Sequence, residues 1–148
     1  MTRFYGIPEA DALLPDVERI LIALRDQREE LIGLRDRAIA LGSGPNADDD
    51  ETGSEEERRA LKLIRLRMQG LVDQMQAGVV RLVELDITLR DIQSGLIDFP
   101  ALAAGRPIWL CWRLGEDSVR HWHGHDEGFA SRRSIDDLTL DRGAGRLA

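Results

Sequence analysis

Residues 61–92 read LKLIRLRMQGLVDQMQAGVVRLVELDITLRDI. Within them Leu61, Ile64, Met68, Leu71, Met75, Gly78, Leu82, Leu85, Leu89 and Ile92 fall alternately three and four positions apart. A repeat of about 3.5 residues keeps one apolar seam of a helix turned toward a partner helix, as in a coiled coil. Ser54 and Glu57 stand in the S-x-x-E spacing of a capping box, and Gly95 follows the last seam residue. The spacing therefore predicts a helix opened at Ser54 and closed near Gly95, roughly 58 Å long at 1.5 Å per residue.

Upstream, Leu13, Val17, Ile20, Leu24, Gln27, Leu31, Leu34, Ala38 and Leu41 repeat the same spacing with one polar member, Gln27. Pro15 lacks a backbone donor, so the expectation is a short helix from Pro8 to Leu13, a kink, and a helix of roughly 40 Å ending at Leu41. Between the two runs, residues 42–53 hold Gly, Pro and acids and read as a mobile tip. A connection of that length lets the helices fold back antiparallel, and spacing alone equally allows each to pair with a second chain. Val72, Val79, Val83 and Ile87 lie beside the second seam and widen its apolar stripe, so something besides the first helix must cover them. Gly78 on the seam reads as a close helix approach.

From Gly95 onward the pattern changes. Leu96–Pro100 reads as a short extended piece, Gly105-Arg106-Pro107 as a turn, and Ile108–Arg113 and Val119–His123 as the strands of a β-hairpin. If residues 114–118 form its loop, Cys111 faces His121 and Trp109 faces His123; a four-residue loop would invert the faces. In the first register Trp109, Cys111, Arg113, His121 and His123 share one face, and Ile108, Leu110, Trp112 and Trp122 form the core side. Arg120 would then lie within cation–π reach of Trp112. The fold class expected is mainly α with a small β part (α+β). A coiled-coil-like antiparallel helical hairpin spans residues 1–94, a Trp/His-rich β module packed on it spans 95–133, and a flexible tail spans 134–148.

The chain has 148 residues and a formal charge of −7. Seven acids between residues 42 and 57 account for that charge, so the rest is balanced and offers no field for nucleic acid or an anionic membrane. No apolar run is long enough for a transmembrane helix, and MTRFYGIPEADALLP has no secretory pattern. With Cys111 as the lone cysteine, the compartment expected is the cytoplasm.

Cys111, His121 and His123 would converge in the first register as N and S ligands, and zinc is the ion they would suit. The motif lacks a paired C-x-x-C. A thiolate nucleophile is disfavoured because Cys111 lies inside the apolar strand IWLCW, and no phosphate loop or G-x-S-x-G element is present. Asp98, before Phe99-Pro100, reads as a turn cap.

Several stretches together resemble a bacterial family catalogued as domain of unknown function 2203, some of whose members are labelled division initiation protein. They are Gly95-Leu96-Ile97-Asp98-Phe99-Pro100, Leu110-Cys111-Trp112-Arg113-Leu114-Gly115-Glu116, Trp122-His123, and Gly128-Phe129-Ala130 with Arg132. The opening Glu9-Ala10-x-Ala12-Leu13-Leu14-Pro15 is similar as well. The resemblance implies no established activity. It places Cys111, Glu116, His123, Asp126 and Arg132 on family positions, leaves His121 and His125 off them, and puts Gly124 where members typically carry an acid. That pattern favours a polar cluster of Glu116, His123, Asp126 and Arg132. The function expected is a non-enzymatic scaffold, a homodimer joined through its helices; the alternative is a metal- or small-ligand-binding protein using the Cys/His cluster.

Overall fold

A computed structural model of the chain describes residues 2–42 and 54–138. Two helices, α1 (Ile7–Ala40) and α2 (Glu55–Glu84), precede five strands: β1 (Thr88–Asp91), β2 (Leu96–Ala103), β3 (Arg106–Arg113), β4 (His121–Gly124) and β5 (Arg133–Ser134). The strands form one antiparallel sheet in chain order. The fold is thus α+β, and the β part is a five-stranded sheet rather than a single hairpin. Among the described residues, no helix is long and apolar enough to cross a membrane. The expected tip, apart from Gly42, and the end of the expected tail lie outside the described residues.

The helices run antiparallel within the chain. A side chain at Gly78 would meet Leu24, Arg67 pairs with Glu30 at 2.8 Å, and Leu34 and Ala38 cluster with Leu61 and Ile64. Ser54 caps α2 by accepting from the Glu57 N–H. At 1.5 Å per residue α1 is roughly 51 Å long and α2 roughly 45 Å, the reverse of the expected order.

Both differences have local causes. Helix α1 runs unbroken through Pro15. That proline removes only the bond to the Asp11 carbonyl, and Leu14 and Val17 on either side of it are anchored in the core. Helix α2 stops at Glu84 although the apolar period continues. Asp86 takes φ 59°, its N–H donates to Val83 O, and the Ile87 N–H reaches back to Leu82 O. These are the paired bonds of a Schellman close, with Leu82 and Ile87 sharing its hydrophobic contact. Leu89, read as a seam residue, therefore pairs with Ile97 in the sheet.

Among the described residues two hydrophobic clusters result. At the base Ile97, Phe99, Ala101, Ile108, Leu110 and Trp112 turn one sheet face onto Ala10, Leu14, Val17, Leu21, Leu24 and Leu82. Ile87 is buried in this cluster and Val79 packs against it partly buried, so this part of the flank is covered in part. Val83 is left 62% exposed. Among the described residues of the distal half, the helices enclose Leu34, Ala38, Leu61, Ile64 and Leu71, with Leu31, Leu41 and Met68 beside them.

The N-terminal segment ties the parts together. Tyr5 N–H donates to Pro100 O at 2.7 Å, Tyr5 O–H donates to Leu85 O at 2.7 Å, and the Arg3 N–H donates to Asp86 Oδ2. At the start of the expected tail Ser134 pairs with His121 at the sheet edge and Leu138 packs against the base cluster.

Candidate functional site

Strand alternation sends odd-numbered β3 residues away from the helices. The register is the one that a loop at 114–118 predicts: Cys111 opposite His121, Trp109 opposite His123. On the other side Cys111 faces Asp98 and Trp109 faces Pro100. The outer face of the sheet thus carries Asp98, Cys111, His121 and His123, and the core side carries Ile108, Leu110 and Trp112.

Three of these side chains meet. Asp98, Cys111 and His123 are all buried, with their O, S and N atoms within 4.8 Å of one another. His123 reaches across β3, its Nε2 3.0 Å from both Asp98 oxygens. Its Nδ1 faces Gly124 O at 3.0 Å. Arg90 Nε donates to Asp98 Oδ2 at 2.8 Å. The same guanidinium lies 5.0 Å from the centre of the Trp109 ring, which stacks on His125. Asp98 is therefore the hub of a buried network and not a turn cap. Burial, and next the negative charge of Asp98, push the Cys111 thiol up to about 12. That is the opposite of what a thiolate nucleophile needs.

A cavity of about 310 Å³ opens beside the cluster, lined also by Arg90, His125, Asp126, Glu127 and Phe129. At Gly124, Glu127 Oε1 lies 2.5 Å from where a Cβ would stand. A carboxylate from three residues downstream fills the space that an acid at position 124 would enter.

The remaining expected residues form a second group. Arg132 donates to both oxygens of Glu116, at 2.9 and 3.0 Å, and its Nη2 lies 2.8 Å from His121 Nδ1. Glu116 also accepts from the Arg113 N–H at 2.7 Å. Burial acts to raise the Glu116 carboxyl, but Arg132 and that backbone N–H outweigh it and hold it below the usual range. Arg132 and Arg113 lie over the Phe129 ring, at 4.6 and 5.5 Å. The expected cluster of Glu116, His123, Asp126 and Arg132 thus divides: Glu116 and Arg132 join His121, while His123 and Asp126 line the cavity. Arg120 engages Ser118 and Asp117 instead of Trp112, and Trp112 Nε1 donates to Glu116 O.

Sequence reading brought Cys111 and His123 together but missed Asp98 and Arg90. The signal available was a lone acid within the otherwise apolar stretch Leu96–Ala101, on the strand face opposite Ile97 and Phe99, which only the β2–β3 register turns into a contact.

A family described as "Uncharacterized conserved protein (DUF2203)" matches residues 3–135. No curated protein and no solved structure matches the chain.

Proposed function

The chain belongs to the DUF2203 family of uncharacterized conserved proteins, and we propose that it is a non-enzymatic interaction protein that pairs with a second copy through the distal half of its helices. The observation that carries this reading is the thinness of that half. Two helices with no sheet behind them leave Leu63 and Leu66 63% and 62% exposed and Ile39 55% exposed. An open groove of about 460 Å³ between the helices is lined by Leu31, Ile32, Met68 and Val72. A two-helix layer buries too little apolar surface to hold itself, and pairing two such layers into a four-helix arrangement with coiled-coil-like seams supplies the missing cover. A C2 pairing of this kind uses the same patch on both copies.

Sedimentation of the full chain at tens of micromolar tests it. The expected mass is twice the 16.6 kDa of one chain, and Leu63→Gln with Leu66→Gln is expected to shift it to the monomer without loss of helix. A monomeric wild type, or a dimer indifferent to the double substitution, overturns the reading.

A further inference from the structure

The geometry assigns a binding site for a zinc-class divalent transition metal to Asp98, Cys111 and His123, with Arg90 and the Gly124 carbonyl as its outer sphere. This goes beyond the self-association reading and does not rest on it.

Three features converge on a metal rather than on a purely structural network. The donor set of one thiol sulfur, one imidazole nitrogen and one carboxylate oxygen is that of borderline-soft ions. It does not suit calcium or magnesium, which ask for six or more oxygens. The spacing is close to what is needed. Tetrahedral ligands at zinc bond lengths stand roughly 3.5 Å apart, and here the three atoms lie within 4.8 Å, with Nε2 and the carboxylate at 3.0 Å. Shifts of about 1 Å admit an ion.

The outer sphere is already built. The Nδ1–H of a metal-bound histidine is ordinarily held by a carbonyl or carboxylate, which points Nε2 at the ion. In this chain Gly124 O takes that role at 3.0 Å, and Arg90 fixes the Asp98 carboxylate at 2.8 Å. His121, the third ligand expected from the sequence, is instead engaged by Arg132. The cavity supplies the way in: Asp98, Cys111 and His123 form part of its wall, and Asp126 and Glu127 stand on the same lining. An ion entering there takes Nε2 of the neutral imidazole as a ligand and replaces the thiol proton, which is released to solvent.

The test uses untagged full-length protein, stripped by chelator, kept reduced and titrated with Co²⁺ alone. One ion per chain is expected, together with the near-ultraviolet charge-transfer absorption of a thiolate bound to cobalt. Cys111 is the chain's only cysteine, so the wild-type band identifies the ligand even where a variant does not fold. Cys111→Ser is expected to abolish the band and to weaken binding by more than about 100-fold. Arg90→Gln is expected to weaken it by about 10–100-fold, the usual cost of an outer-sphere loss. His121→Gln is expected to leave both unchanged. Absence of stoichiometric binding to the folded wild type, binding without the band, or binding as sensitive to His121→Gln as to Cys111→Ser overturns the assignment.

Discussion

His123 and Asp98 meet across an intervening strand, 3.0 Å apart and each side chain 2% exposed. A carboxylate in that position is stable only because charge and hydrogen bonds surround it: Arg90 on one oxygen and the imidazole on both. Removing one partner of a buried pair leaves the other desolvated and unmatched. Asp98→Ala is therefore expected to lower unfolding free energy by about 3–5 kcal/mol, measured by urea denaturation. An unchanged midpoint and slope would contradict the role assigned to the network.

The thiol of Cys111 is expected to be nearly inert in the folded chain. Raised from 9.0 to about 12, it carries roughly a thousandth of the thiolate of an ordinary cysteine at pH 8, and thiolate is the reacting form. Disulfide-reagent kinetics should show that ratio between native and urea-unfolded protein. Rapid labelling of the native form would be inconsistent with its burial.

Glycines along the helices are expected to respond differently to alanine. A Cβ at Gly70 meets nothing within 4 Å, so Gly70→Ala should gain about 1 kcal/mol from helix propensity. At Gly78 the new methyl would lie 3.2 Å from Leu24 Cδ2, so the gain should be smaller or reversed. Thermal midpoints of the two variants, compared with the parent, check the order.

Glu116 sets an acid limit on stability. Its folded carboxyl is held below the unfolded value of 4.5, so the folded state favours the ionised form. The stabilisation is complete above about pH 4.5 and is lost as pH falls through the lower, folded value. Glu116→Gln is expected to reduce this part of the pH dependence, so that parent and variant differ most near neutrality and converge in acid. Parallel melting curves at all pH values would rule it out.

How far the fold was legible depends on which kind of signal each residue carries. The two heptad runs are local patterns, and they located both helices because a helix face repeats within a few residues. They failed at the end of α2: Leu85, Leu89 and Ile92 continue the arithmetic, while the stop is a backbone event at Asp86, whose positive φ has no periodic signature. Pro15 misled in the other direction, since its cost is one carbonyl partner and the packing of Leu14 and Val17 holds the helix through it. In the site, Cys111 and His123 were found because one loop length fixes their register. Asp98 joins them through a second hairpin, closed by a two-residue turn at Ala104 and Gly105 with φ 51° and 74°. Both residues take φ > 0, as a type I′ turn requires, and the sequence suggested a different turn, Gly105-Arg106-Pro107. Arg90 was assigned to a helix, so its approach to the carboxylate depended on the strand that replaced that helix.

The clasp made by Arg3 and Tyr5 bears on the order in which the molecule matures. Arg3 bonds to Asp86, and Tyr5 to Leu85 and Pro100, so these residues are made before their partners, which follow some eighty to a hundred positions later. During synthesis the helical pair can form from local contacts. The sheet cannot be locked to it until Pro100 has emerged, and the opening segment stays unattached meanwhile. A protease present during translation would therefore find this segment open, although Tyr5 is buried in the finished protein.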